Sequence, residues 1–414
     1  MFITQALQKQ ALDKLFSLAT EESFTVVYWD GTTKQHGTGS PKFVLILRTP
    51  EAFDRLKSDA EMGFAEGYVD GVIDLDGDVA DFVALASLTL RRLAGSGDDF
   101  FRAHPMLARL LRPALAGASR QAGQRSHRKQ QKDVVHHYDL SNDFFRLWLD
   151  ESLTYSCAYF HSPTDTLEQA QRQKMTHSLR KLRLTPGEAL LDVGCGWGAL
   201  VREAAQSYGV QTLGITLSEE QRAAGCAEIE AHGLGDKADV RVAHYEALVR
   251  ERRVFDKIVS IGMVEHVGKA HLPKFSQSVA SLLRPGGLAL LHQITSPIEG
   301  PISPWVEKYI FPGSYLPTLP ELLRHLADND LRVLDVEDLR PHYRLTLDQW
   351  TERFERCVPQ VQEMYGEKFV RMWRVYLRAA SAGFRVGTVA LHQVLVSRGP
   401  SDAVPLTRDD LYAS

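Results

Sequence analysis

Residues Ala189–Gly198, ALLDVGCGWG, decide the fold of this chain. A short apolar run ends in Asp192, glycines follow at 194, 196 and 198, and the amphipathic stretch Ala199–Tyr208 comes next. The pattern predicts a buried strand, a glycine turn and the start of a helix. Glycine is needed where the backbone turns sharply and comes close to a ligand, and a helix N-terminus behind such a turn favours anionic groups. The GxGxG spacing differs from the GxGxxG of nicotinamide and flavin sites. The next strand, Gln211–Ile215, runs into Thr-Leu-Ser and lacks the ribose-binding acid of that fingerprint.

Strand and helix patterns alternate outward from this point. Ser218–His232 reads as a helix with Ser218 as N-cap and Gln221 three residues on, a capping box. Asp239–Ala243, Phe255–Ile261 and Leu288–Ile294 read as strands, the last entered through a turn at Arg284–Gly287. Arg332–Val336 and Val389–Val396 are two further strands, and Leu347–Cys357 and Glu367–Ala382 are helices of the core or of a lid. Such alternation implies a doubly wound, mostly parallel α/β sheet that binds ligands outside the carboxyl ends of its strands. The reactive residues expected at those ends are Asp192, Thr216, Glu265 with His266, and His292.

The chain has 414 residues, 44% of them apolar and 24% charged, which suits two or three globular domains and excludes global disorder. No run approaches the ~20 apolar residues of a membrane span. The stretch MFITQALQKQALDKLF has no long apolar core and no small-residue cleavage site, so no secretory signal is expected. Cys157, Cys195, Cys226 and Cys357 form no CxxC pair, so no metal site or disulfide framework is indicated and a cytoplasmic setting is expected. Cys195 reads as a residue small enough for the glycine turn.

The net charge of −4 is unevenly spread. Residues 1–100 carry nine Lys or Arg against 16 Asp or Glu, and residues 102–132 carry eight Lys or Arg and no acid. Residues 1–100 read as a small α+β domain. Its strands are Thr25–Trp29 and Phe43–Leu47, its helices 50–60 and 78–93, and Asp30–Lys42 is turn-rich. Residues 101–132, with Pro113, Gly117 and Gly123, read as a basic linker that is either solvated or an anchor for anionic headgroups. Nucleic acid is excluded as a partner because no aromatics interleave the basic residues. Residues 133–399 form the large domain and 400–414 a tail.

The glycine segment resembles the first motif of class I S-adenosylmethionine-dependent methyltransferases. HHYDLSNDFFRLWLD, LTYSCAYF, GITLSEEQ, SIGMVEHVG, LLHQI, PWVEKYIFPGSYLP and RAASAGFRVG together resemble the cyclopropane-fatty-acyl-phospholipid synthase family, and GFAEGYVDG resembles its N-terminal glycine-acidic segment. The resemblance implies a Rossmann-like domain with S-adenosylmethionine contacts at Tyr155, Ser156, Gly194, Gly196, Gly198, Thr216, Leu217, Gln221, Tyr245, Glu246, Ile261 and Gly262. It implies a bicarbonate site at Cys157, Glu265, His292, the backbone of Ile294, and Tyr343. It also makes Trp305, Tyr309, Phe311 and Tyr315 the lining for an acyl chain, where ring faces would stabilise a passing cation. The implied partners are a bilayer surface of cis-unsaturated phospholipid, met peripherally from the cytoplasmic side, and a second copy in a homodimer.

The implied chemistry accounts for these residue types. An isolated double bond needs no base to attack a sulfonium methyl group. The carbocation that forms must be kept from water, and a base must then take a proton from the added methyl so that the ring closes. A small anionic base requires N–H and O–H donors to hold it. A carboxylate such as Glu265 fits beside it only by accepting its O–H or by being protonated itself. A Glu265–His292 pairing would set that balance. His136, His137 and His266 are given no catalytic role.

Overall fold

The computed structural model describes residues 5–95, 140–402 and 404–412. The basic linker expected over 101–132, and His136 and His137, lie outside the described residues.

The described chain divides into two compact units, and neither is continuous in sequence. The first combines 5–95 with 303–310 and 350–388, and the second combines 140–302, 311–349 and 389–412. The single stretch expected over 133–399 is therefore interrupted twice.

The first unit carries strands β1 (Phe24–Val27), β2 (Thr33–His36), β3 (Val44–Leu47) and β4 (Ile73–Asp76), in the spatial order β2-β1-β3-β4. β2 lies within the segment expected as turns. Its exposed Thr-Lys-Gln side chains hide the strand from a hydrophobicity pattern, while its backbone pairs with β1 from Thr33 to His36. The glycine-acidic segment holds most of the helix Ala60–Val69, capped by Asp59, and β4 follows it. The helix Glu367–Val386 belongs here because Ala382 packs on Ala80 and Ala84. Arg371 also donates to the carbonyls of Tyr68 and Ile73 and pairs with Asp74.

The second unit is a seven-stranded sheet of β5 (Ala189–Val193), β6 (Gln211–Thr216), β7 (Ala238–Val242), β8 (Phe255–Ile261), β9 (Leu283–Thr295), β10 (Leu331–Asp338) and β11 (Ala390–Arg398), ordered β10-β11-β9-β8-β5-β6-β7. β5 to β9 run parallel, and β11 is antiparallel to both β9 and β10. The core strands are apolar on both faces because helices cover both. Leu191, Ile215, Ile258 and Leu291 pack with Phe275, Val279 and Leu322 on one side, while Leu190, Val259 and Leu290 pack with Met175, Leu179 and Leu200 on the other. The turn expected at Arg284–Gly287 is instead an irregularity inside β9, which pairs with β8 through both Leu283 and Leu288.

The chain moves outward from β5 to β6 and β7, then returns to the other side of β5 with β8. That reversal opens a crevice at the carboxyl ends of β5 and β8, where doubly wound sheets bind ligands. The glycine turn sits over it, and Gly214 on β6 makes room for the turn. A Cβ on Gly214 would meet Cys195 Sγ at 2.7 Å and Val201 Cγ2 at 2.8 Å. Gly214→Ala is expected to destabilise the protein by about 1–3 kcal/mol through overpacking, read as a lower midpoint in thermal and urea denaturation. An unchanged midpoint would mean that Cys195 and Val201 yield at no cost.

Candidate functional site

A cleft enclosing about 1180 Å³ of empty space, its open mouth included, occupies this crevice. Its wall is assembled from the ends of β5, β6 and β8 with the segments that follow them, from residues 152–156, and from Lys174 and Met175 on the helix Leu167–Leu182. Ten of the twelve residues implied as cofactor contacts line it: Tyr155, Ser156, Gly194, Gly196, Thr216, Leu217, Gln221, Tyr245, Ile261 and Gly262.

Gly198 and Glu246 do not line the cleft. Gly198 caps the helix Ala199–Tyr208 with φ +77°, and its missing Cβ allows close packing, since an added Cβ would lie 3.3 Å from Val240 and 3.7 Å from Gly225. Glu246 follows Tyr245 on the helix Tyr245–Arg250 and lies beyond the wall.

Local chemistry explains the shape of the wall. Gly194 has φ +86°, and a Cβ there would come within 2.9 Å of Met263. Gly196 also has positive φ, with open space where its Cβ would be, so the turn forms a backbone cradle. Gln171 Nε2 donates to the carbonyls of Ser156 (2.9 Å) and Thr154 (3.3 Å), pinning the 154–156 segment. Ser218 accepts the Gln221 N–H as expected, but Gln221 does not complete a capping box. Its Oε1 accepts instead from Thr216 Oγ1 at 2.6 Å, which fixes the carboxyl end of β6.

A second buried polar group adjoins this wall. Gly262 N–H donates to the His292 carbonyl (2.8 Å), where β8 and β9 end side by side. Ile294 N–H donates to Glu265 Oε1 (2.6 Å), and Tyr315 N–H donates to the Glu265 carbonyl (2.9 Å). The Ile294 amide is thus already engaged and is not open to an anion. The expected Glu265–His292 pairing is not the observed arrangement. Gln393 Nε2, on β11, donates to His292 Nδ1 (3.0 Å) and to Ser178 Oγ (3.2 Å). Among the described residues, this leaves Glu265 Oε2 and His292 Nε2 buried without a hydrogen-bond partner.

Cys157 is fully buried, and the amide of the next residue, Ala158, donates to Thr346 Oγ1 (3.0 Å). Tyr343 lies three residues before Thr346, partly buried on the first turn of the helix Arg340–Arg356. The aromatic segment is divided. Trp305 and Tyr309 belong to the first unit, where Trp305 is buried and Tyr309 is exposed and bonded to Glu66 (2.6 Å). Phe311 and Tyr315 belong to the second, where Phe311 lies edge-on to His266 and Tyr315 bonds to Glu321 (2.7 Å).

Burial suppresses charge throughout this region. It pushes the Asp192 carboxyl up to about 7, with Lys174 pulling the other way. It raises Glu265 to about 7 against the pull of the Ile294 N–H. It lowers Lys174 to about 8, His266 to about 4, and His292 well below the usual imidazole value. The Cys157 thiol is pushed up and stays protonated.

The sequence reading missed Gln171 and Lys174 and gave His266 no catalytic role, yet Lys174 and His266 line the cleft. A signal for the first two was present. Gln171, Lys174, Ser178 and Lys181 recur at helical spacing on the buried side of the helix Leu167–Leu182, a polar stripe where apolar residues belong.

A family profile described as "Mycolic acid cyclopropane synthetase" matches residues 125–394. The chain belongs to this family. A domain of unknown function matches residues 11–91. The chain is 36% identical to a probable fatty acid methyltransferase of Pseudomonas putida, over 93% of this chain and 95% of that one. It is 33% identical to the cyclopropane-fatty-acyl-phospholipid synthase of Escherichia coli K12, over 89% and 92%. The solved mycolic acid cyclopropane synthase CmaA1 complexed with SAH and CTAB superposes with a TM-score of 0.61 at 35% identity, covering 66% of this chain and 99% of that one. As a member of the mycolic acid cyclopropane synthetase family, the chain is a lipid methyltransferase or cyclopropane synthase that uses S-adenosylmethionine. The cleft fits that cofactor. The glycine cradle, the Thr216–Gln221 pair and the buried Lys174 and Asp192 offer a narrow backbone approach together with polar groups of both signs.

The raised Glu265 value has a measurable consequence. Its carboxyl binds a proton more tightly in the folded chain than at its ordinary value of 4.5, so its contribution to stability falls as pH rises from 4.5 through about 7. The stability of Glu265→Gln is expected to gain on the wild type by up to about 3 kcal/mol between pH 4.5 and pH 8. Urea denaturation of both proteins at the two pH values measures this, and Asp192 cancels because both proteins carry it. A difference that stays constant with pH would contradict the assignment.

Proposed function

We propose that the chain transfers a methylene group from S-adenosylmethionine to the cis double bond of an unsaturated phospholipid acyl chain, closing a cyclopropane ring. The observation that carries this reading is the pair of buried atoms left without partners among the described residues, Glu265 Oε2 on the 3-10 turn after β8 and His292 Nε2 on β9, joined to the cleft by the Gly262–His292 hydrogen bond. A methyltransferase acting on an amine or hydroxyl releases a proton from the acceptor's own N–H or O–H, which solvent can take. A ring-forming enzyme needs in addition a site that receives one methyl proton in a dry pocket.

S-adenosylmethionine supplies an electrophilic methyl group when bound, and a bound bicarbonate would supply the base. The residues that fit such an anion are Glu265, His292, Cys157 and Tyr343; the Ile294 amide acts through Glu265. His292 Nδ1 accepts from Gln393, so Nε2 carries the ring proton and presents it as a donor. Burial keeps this ring neutral. Glu265, with its pKa near neutrality, either donates from a protonated Oε2 or accepts at an ionised one. Ile294 N–H holds Oε1, so the proton is exchanged at Oε2. The apolar strand ends around these groups exclude water from the developing cation.

No helix among the described residues is long and apolar enough to cross a membrane. On this reading the chain meets a bilayer peripherally, from the cytoplasmic side, as a homodimer.

The test is incubation with methyl-deuterated S-adenosylmethionine and vesicles of cis-unsaturated phospholipid, followed by mass spectrometry of the acyl chains. The expected product gains one CD2 unit with one deuteron lost. A retained CD3 group would replace ring closure with methyl branching. An unlabelled lipid pool with cofactor still bound would move the acceptor to another class, a small amine among them. His292→Ala is expected to lower turnover by roughly 100-fold or more, the scale of a general acid–base or hydrogen-bonding group in a transition state.

A further inference from the structure

Lys174 is the feature of the cleft that the reading above leaves without a task. It sits mid-helix in Leu167–Leu182, 3% exposed, and it lines the cleft. Its Nζ donates to Ser156 Oγ at 3.0 Å, and Asp150 and Asp192 act on it through space without forming an ion pair with it among the described residues. A buried ammonium with no carboxylate in contact is costly, and one facing a ligand cleft is explained most simply by an anion that the ligand brings.

The rest of the wall narrows the assignment. Among the described residues that line the cleft, Lys174 is the only lysine or arginine. His266 is half-buried, and burial keeps it neutral near pH 7. The glycine turn offers few free donors, since the Gly194 and Cys195 amides both donate to the Ile215 carbonyl (2.9 and 3.0 Å) and the Gly198 amide donates to the Cys195 carbonyl (3.0 Å). Ser156, the neighbour that holds the Lys174 ammonium, is itself on the wall. Asp192 shares the wall, so a zwitterionic amino acid would meet one group of each sign there.

We propose that Lys174 binds the α-carboxylate of the cofactor's amino-acid end, with Ser156 orienting its ammonium. The proposal rests on S-adenosylmethionine being the cofactor. It adds the ionic anchor that fixes how the sulfonium is presented to the acceptor.

The experiment is isothermal calorimetry of the full chain with two ligands that differ only in this group: S-adenosylhomocysteine, and S-adenosyl-3-thiopropylamine, which keeps the amine and lacks the carboxylate. Wild type is expected to prefer the first by roughly 10- to 100-fold, the scale of a hydrogen bond to a charged group. Lys174→Met is expected to erase that preference by weakening S-adenosylhomocysteine alone, and Lys174→Arg to restore most of it. Three outcomes would overturn the assignment: equal affinity of wild type for the two ligands, a preference that survives in Lys174→Met, or a parallel loss of both ligands in that variant. The wild-type comparison requires no variant to fold. If wild type bound neither ligand, the cofactor reading would fall as well. If it bound S-adenosylhomocysteine but without preference, only the role of Lys174 would be lost. A bicarbonate partner for Lys174 would appear as the absence of preference together with tighter bicarbonate binding in wild type than in Lys174→Met.

Discussion

The parallel register of β5, β8 and β9 is the constraint on which the site depends. Asp192 pairs with Val259 and Ile261 pairs with His292, so β5 and β8 end at nearly one level of the sheet and β9 runs on past it to Thr295. Each then releases a different element over the same crevice: the glycine turn after β5, the segment 262–267 after β8, and Ile294 with its bond to Glu265 at the end of β9. The sheet's apolar interior holds these ends rigidly, because Leu190, Leu191, Ile258, Leu290 and Leu291 are buried between helices on both faces. A slip of one residue between β8 and β9 would move His292 to the opposite face of the sheet and separate it from Gln393 and Ser178.

The electrostatics follow from that rigidity and dryness. Asp192, Glu265, Lys174, His266 and His292 are all shifted toward their neutral forms, and burial is the largest cause in every case. A pocket with few fixed charges and partnerless polar atoms suits a ligand that carries its own charges, because each ligand charge then finds a group poised to answer it. The same low dielectric makes every such contact stronger than it would be in water. Away from the site, a buried ammonium is paired with carboxylates. Lys181, as buried as Lys174, is bonded to Glu337, which His177 also holds, and these partners outweigh burial to bring the Glu337 carboxyl down to about 2. The contrast between the two lysines of one helix separates a structural ammonium from one facing a ligand.

The first unit shows how far a chain's domains can depart from its sequence order. The helix Glu367–Val386 lies beyond most of the sheet of the second unit in sequence, yet it packs by small residues on Val79–Gly95. Arg385 pairs with Asp81, and Arg378 with Asp78. Part of the acidic excess of residues 1–100 is therefore answered by arginines 300 and 304 residues away in sequence.

The sequence by itself determined the doubly wound sheet, because buried parallel strands and glycine turns are local signatures. Ala199–Tyr208 and Phe255–Ile261 match the expected bounds. It also determined most of the cofactor cleft, since strand–turn–helix units put their turns at one edge of the sheet whatever else the chain does. β2 was not legible, because exposed polar strands have no hydrophobic period. The tertiary structure alone decided the rest. Long-range pairing of β11 with β9 delivered Gln393 to His292, and the partner Glu265 found was the Ile294 amide, not the imidazole. Lys174 became a cleft residue only through the packing of its helix on the sheet. Side-chain hydrogen bonds between residues a hundred positions apart have no local signature, since they depend on strand order and register, which are set by the packing of the whole unit.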